Sequence, residues 1–348
     1  MIPTTPDELT ETWLATILTR HGFSAAVEAI EFQRLGASSL TSALLRVVPR
    51  FQDETTGVTP ALLWKRSADD ANHRELFRAG YAAEVGFYRE VAPGLDVSVP
   101  RCFAAAYEEE RGAHVLLLED LTSGTHGDFV QGVSPEGAES VLREFARLHA
   151  ARWIRPMLPA GLADHPQGAR PFVTEHASLS TAYLAEHVDG HAAERTRRYG
   201  DEVAGLRASL AAGPQAFTHG DAHPANVILP RAAGARPSLV DWQCSGAGAP
   251  ILDVARFLVL ALTIEDRRRF EQVLLSSYLK EVETRSGHYD TGAATRDYRM
   301  ASVLQWGWAV ELVRHESMWD WDTREAMPTL VRRVAAAFDD ATTELDSR

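Results

Sequence analysis

The sequence predicts an α+β protein of two lobes, and three observations carry that expectation. Short stretches with strand character crowd residues 29 to 119, one long helical pattern interrupts them, and almost everything after residue 120 repeats its apolar residues at helical spacing. Runs of strands followed by runs of helices point to an α+β arrangement rather than alternating βα units. At 348 residues the chain is long enough for two lobes, each with its own core.

The elements follow in order. "TPDELTETWLATILTR", Thr5 to Arg20, opens with a threonine and a proline suited to a helix start and continues with helically spaced apolar residues. From Ala29 the pattern changes: "AIEFQRL" and "SALLRVV" are short, apolar or alternating, and rich in β-branched and aromatic residues, with "GASSLT" between them. "VTPALLWKR" reads as a third strand. Asp70 to Val91 reads as a helix with Leu76, Phe77, Ala83, Phe87 and Val91 on one side. "DVSVPRCFAAAY" and "AHVLLLED" complete five antiparallel strands around "EEERG", a solvated hairpin tip. The polar connector "LTSGTHGD" marks the join, placing a first lobe at residues 1–121 and a second at 122–348. Beyond it, stretches such as "PEGAESVLREFARLHAARW" are helical, and "NVILP" and "PSLVDW" read as a small hairpin.

Composition narrows the function. A formal net charge of −13 argues against sequence-independent nucleic-acid binding, which needs basic patches to neutralise phosphates. An acidic surface serves solubility or draws in a cationic substrate. Two cysteines, Cys102 and Cys244, make no disulfide framework and suggest a reducing compartment. "MIPTTPDELTETW" lacks the basic and apolar regions of a signal peptide, and no run approaches the roughly 18 apolar residues of a membrane span. The expectation is a cytoplasmic protein with neither a membrane nor a nucleic acid as partner.

The chemistry concentrates in "FTHGDAHPANVIL". Phosphoryl transfer from a nucleotide needs a cation on the donor phosphates, carboxylate and amide oxygens for Mg²⁺, and a base that orients the acceptor hydroxyl. In protein kinases the loop aspartate lies five residues before the metal-binding asparagine, the spacing of Asp221 and Asn226. A second metal carboxylate is expected at the end of a short strand, where "SLVDWQ" presents Asp241. A strand-borne lysine and a helix-borne glutamate that steadies it are met by Lys65 and Glu84. Each feature alone has a plain structural alternative; five in the required order form a pattern.

"HGDAHPAN", followed by "LVDWQ" and "APILDVARFL", resembles the aminoglycoside phosphotransferase and choline kinase superfamily, which has a protein-kinase-like two-lobed fold. The match runs through His219, Gly220, Asp221, His223 and Asn226. "DWQ" is similar to the ecdysteroid-kinase-like branch. The resemblance implies a small lobe of five antiparallel strands plus a helix, and a large, mainly helical lobe. It implies a small-molecule kinase that moves the γ-phosphoryl of ATP, or GTP, to a hydroxyl on an antibiotic, amino alcohol, sugar or related compound. Asp221 is then the base, Asn226 and Asp241 hold Mg²⁺, and Lys65, held by Glu84, binds the α- and β-phosphates. "LLLEDL", with Glu119 and Leu121, resembles the hinge whose backbone reads the adenine. A nucleotide-binding scaffold without activity and a nucleotidyl-transferring relative are the alternatives.

Two features adjust this picture. The phosphate-covering turn "LGASSLTS" has one glycine, which leaves backbone amides and the hydroxyls of Ser38 and Ser39 as phosphate ligands. No protein-substrate platform follows "DWQ", so the acceptor is expected to be small. His219 is expected to brace the loop, and Asp253 to accept hydrogen bonds from the loop backbone. His223 is a brace or a wall of the acceptor site. In the resembling family the acceptor lies against late helices, where Trp306, Trp308, Trp319 and Trp321 alternate with carboxylates including Glu311. Large aromatic faces beside carboxylates suit a bulky or cationic ligand. Trp306 and Trp308 are two apart on a helix, so at most one of them faces the site.

Overall fold

A computed structural model describes residues 2–23, 26–35, 42–51, 61–121, 124–150, 174–232, 234–286, 289–315 and 321–347. They form two compact units. The first takes the described residues within 1–94 and 99–124; the second takes 95–98 and 125 onward.

The first unit is built on one sheet. Helix α1 (Glu11–Arg20) precedes strands β1 (Val27–Arg34), β2 (Ser42–Phe51) and β3 (Leu62–Ser67), then helix α2 (Ala71–Gly86), which continues as a wider π-type turn over Phe87–Val91. Strands β4 (Cys102–Glu108) and β5 (Ala113–Glu119) complete the sheet in the order β1-β2-β3-β5-β4, every pair antiparallel. The "EEERG" tip closes the β4–β5 hairpin. The helix expected from Thr5 is interrupted: Pro6–Glu8 form a single 3₁₀ turn, and α1 starts at Glu11 because the Thr10 hydroxyl accepts the Trp13 N–H and caps it there.

Alternation along β3 decides where its lysine goes. Trp64 points into a core with Leu14, Leu18, Val47, Phe103, Val115 and Leu117. Lys65, one residue on, takes the opposite face and meets α2, whose Tyr81, Ala83, Glu84 and Val85 are buried.

The second unit is mainly helical. Strand β6 (Thr125–His126) leads to α3 (Pro135–Ala150), α4 (Thr174–His187) and α5 (Ala192–Ala212). Four short strands follow, β7 (Ala216–Thr218), β8 (Val227–Leu229), β9 (Ser238–Leu239) and β10 (Gly246–Gly248), and then α6 (Ile251–Ala261), α7 (Ile264–Ser286), α8 (Thr291–Arg314) and α9 (Trp321–Asp346). The expected hairpin is present as β8 and β9, joined by β6 as a third strand. Strands β7 and β10, which pair antiparallel, are not among the strands expected from the sequence. At three residues each they are too short to display a period of two. Tyr199, Trp306, Val310, Leu330 and Phe338 anchor the helical core. Nearly all of α6 is buried; Leu252 and Arg256 are its two partly open positions. Among the described residues no helix is long and apolar enough to cross a membrane.

Candidate active site

The loop from His219 to Asn226 leaves the end of β7, which is fastened to β10 by its ladder and by the Thr218 hydroxyl donating to Gly246 O. Gly220 makes the turn at φ +80°, and a Cβ there would lie 2.0 Å from Cys244 O, so both the backbone conformation and the space require glycine. Asp253, on the first turn of α6, accepts the N–H groups of His219 (2.6 Å) and Gly220 (2.9 Å), and the ring of His149 on α3 reaches it at 3.2 Å. Burial pushes this carboxyl up, but the His149 bond and neighbouring charge outweigh it and hold it below its ordinary range. The role expected of Asp253 is the one its bonds describe.

His219 is buried, and burial keeps its ring neutral. Its Nε2 donates to Val240 O at 2.9 Å, its Nδ1 accepts the Asp221 N–H at 3.3 Å, and the ring lies 4.6 Å from that of Trp242. This is a brace, not a base. The loop closes through a 3₁₀ turn at Pro224–Asn226, and the Asn226 side-chain amide donates to Asp221 O at 3.0 Å. The Val240 N–H donates to Asn226 O, so the β8–β9 pair carries Asn226 and Asp241 at one end. Asp241 holds a left-handed backbone, φ +65°, the only such non-glycine residue among those described. Aspartate is among the few non-glycine residues that adopt this region readily, by bonding its short side chain locally.

Asp221 is left with its side chain 21% exposed. Arg256 Nη1 donates to its Oδ1 at 2.5 Å, and His223 Nε2 lies 3.4 Å from its Oδ2. Burial raises this carboxyl, but His223 and Arg256 prevail and hold it well below the usual carboxylate range. Arg256 is the residue that sequence reasoning missed. The signal was present, since it follows Asp253 by three positions and so shares its helix face. Asp253 grips the loop's backbone and Arg256 its side chain.

In the first unit, Lys65 Nζ lies 2.8 Å from Glu84, with both side chains buried. Glu119 ends β5, where its N–H donates to Arg101 O and its carboxylate accepts the Arg101 N–H. Leu121 O accepts the Gly124 N–H, and Asp120 between them pairs with Arg46 at 2.5 Å. Ser38 and Ser39 lie outside the described residues, as does Trp319. Trp306 is a correction. It is fully buried, its indole N–H donates to Thr196 Oγ1 at 3.1 Å, and it packs against Phe338, so it is core and cannot touch an acceptor. Trp308, two residues on and half-buried, instead lies under the Arg256 guanidinium at 5.7 Å. Glu311 lies 3.3 Å from Arg314 Nη1 and 3.3 Å from His315 Nε2 along its own helix.

No cluster of three His, Cys, Asp or Glu among the described residues suits a metal held by protein alone. One carboxylate and one amide, Asp241 and Asn226, are instead the donor set that suits Mg²⁺ shared with phosphates and water.

A family model described as "Phosphotransferase enzyme family" matches residues 41–292, well over half of the chain. The chain belongs to the phosphotransferase enzyme family. Membership makes it a phosphotransferase. No curated protein matches it in sequence. Solved structures of similar fold include the ethanolamine kinase of Plasmodium vivax, at 13% identity over 98% of this chain and 91% of that one, TM-score 0.55. The choline kinase of Cryptosporidium parvum Iowa II matches at 13% identity over 91% and 92%, TM-score 0.54. The macrolide 2'-phosphotransferase of Brachybacterium faecium matches at 16% over 92% and 97%, TM-score 0.50. Such identities speak for the fold: this phosphotransferase has the α+β, kinase-like architecture of those enzymes.

Proposed function

We propose that this phosphotransferase moves the γ-phosphoryl group of ATP, with Mg²⁺, to a hydroxyl of a small acceptor. The observation that carries the reading is Asp221: a partly open carboxylate on a loop otherwise fixed by Gly220, His219 and Asp253, next to Asn226 and close along the hairpin to Asp241. Asp221 orients the acceptor hydroxyl and takes its proton. The oxygen then forms a bond to the γ-phosphorus as the bond to the β-phosphate oxygen breaks, and ADP leaves. Its lowered pKa keeps Asp221 ionised at neutral pH, which suits an orienting group in a reaction whose transition state demands little proton removal early on. Lys65, held by Glu84, carries the charge that meets the α- and β-phosphates. Asn226 and Asp241 hold the metal, which when bound neutralises charge developing on the phosphates. His223 borders the carboxylate on the side opposite Arg256 and shares in placing the acceptor.

A panel of hydroxylated compounds with Mg·ATP tests this, with product mass read for one added phosphoryl group and γ-labelled ATP compared with α-labelled. Label from the γ position alone in the product supports it. Transfer from the α position, or none with any acceptor, overturns it; GTP in place of ATP would revise only the donor.

A further inference from the structure

Arg256 is held at three points. Its Nη1 donates to Asp221, its Nε donates to Gln305 Oε1 at 3.3 Å, and its guanidinium lies over the Trp308 ring at 5.7 Å. Gln305 is buried and fixed in turn by its amide donating to Ala301 O. Gln305 and Trp308, three apart on α8, present one face to Arg256 just as Asp253 and Arg256 on α6 present one face to the loop. The arginine is thus built into the wall beside the reacting carboxylate. Among the described residues the groups that act most strongly on the Asp221 charge are His223, Arg256 and His219, and of these Arg256 is the permanent cation. Glu311, the wall carboxylate expected from sequence, has Arg314 as a cationic neighbour on its own helix.

Kinases of amino alcohols handle a cation only two or three carbons from the hydroxyl that reacts. Here a hydroxyl seated on Asp221 brings its neighbouring carbons up to a guanidinium and an indole face. A cationic group set on the Arg256 side of Asp221 lies nearer the guanidinium than the carboxylate, so repulsion exceeds attraction there. At the effective dielectric of a half-open site, like charges this close weaken binding by a factor on the order of ten or more.

We infer that Arg256, braced by Gln305 and Trp308, determines acceptor specificity and selects a hydroxyl whose neighbouring carbons bear no cationic group. The inference rests on the phosphoryl-transfer reading. Uncharged, ring-shaped acceptors that stack on the Trp308 side of the wall suit the site, as do those with an anionic group near the hydroxyl.

The test is a panel in which each cationic acceptor has an uncharged partner of similar shape: choline with 3,3-dimethylbutan-1-ol, glucosamine with glucose, and a macrolide bearing a dimethylamino sugar with its deamino analogue. Wild type and Arg256→Gln are compared by kcat and KM for each pair, and Mg·ATP binding is measured separately by calorimetry. The wild type is expected to favour the uncharged member by about tenfold or more in kcat/KM. Arg256→Gln should bring the ratio toward unity, chiefly through a lower KM for the cationic member, a shift that loss of a merely structural contact would not produce. Preference for the cationic member, an unchanged ratio in the variant, or turnover of cationic members only, with Mg·ATP still bound, overturns the inference alone. Failure to bind Mg·ATP overturns the reading beneath it.

Discussion

Asp253 and Asp221 are two carboxylates on the same loop system, and they are treated in opposite ways. Asp253 is 2% exposed and receives two backbone N–H groups and a histidine ring. Asp221 keeps a fifth of its side chain open and is steadied from its two sides by Arg256 and His223. A carboxylate bonded to backbone donors cannot leave without unmaking the loop. One held by side chains can exchange a partner for a substrate hydroxyl. The difference separates the group that builds the loop from the group we propose works in it.

Exchanging each carboxylate for its amide breaks the comparison most directly. Asp253→Asn places an NH₂ where a loop N–H now finds an acceptor and removes the charge that His149 meets, so it should cost about 3 kcal/mol or more of stability, read by urea unfolding. Asp221→Asn should leave the unfolding midpoint near that of the wild type. Its kcat should fall by about 10²-fold or more, because the proton acceptor is gone. Equal stability losses in the two variants would erase the distinction.

The next effect isolates the turn between them. Gly220→Ala forces a side chain into the left-handed region, worth about 1–2 kcal/mol on its own, and drives Cβ into Cys244 O. Stability and kcat should fall together, since Asp221 follows the turn. A variant that keeps full kcat would show that the carboxylate's position does not depend on the Gly220 turn.

A smaller effect separates Asp221's partners. In a double-mutant cycle with Asp221→Asn and Arg256→Gln, unfolding should show a coupling of about 1 kcal/mol, modest because the pair is partly solvated. Additivity within error would mean that Arg256 does not steady the carboxylate in solution.

The same contrast explains what the sequence disclosed. Asp221, Asn226 and Asp241 were legible because phosphoryl transfer demands fixed residue types at fixed spacing, and Lys65 with Glu84 because strand alternation and a following helix bring them together. The five-stranded sheet was legible from its clustered short strands. Strands β7 and β10 were not, being set by the Thr218–Gly246 contact across 28 positions rather than by local pattern. Arg256 has no spacing to the loop residues that the sequence alone displays, and only the packing of α6 on the loop pairs it with Asp221. Trp306 and Trp308 were indistinguishable by composition; the helix rotation between them sends one to the core and leaves the other under Arg256.

Buried histidines extend the comparison to an effect that emerges only as pH falls. His149 is bridged, between Asp253 and Tyr278 at 2.8 Å. His114, on β5, is fully buried and stacked 4.1 Å from Tyr81, and neither ring nitrogen has a hydrogen-bond partner among the described residues. Burial, with the nearby Lys65 charge, holds its pKa well below 6.5. The sign follows from linkage. The unfolded chain takes up a proton on this ring as pH drops through about 6.5 while the folded chain refuses it, so stability falls as pH falls below that value. His114→Phe keeps the stacked ring and removes the proton site. Relative to wild type, the variant should therefore gain stability steadily from pH 7 to pH 5, by about 2 kcal/mol at pH 5, with little difference above pH 7. Urea midpoints measured at half-unit steps of pH check this. Parallel curves for the two proteins would mean that His114 is as well partnered as His149, and that an unbridged histidine is not what the core beside Lys65 contains.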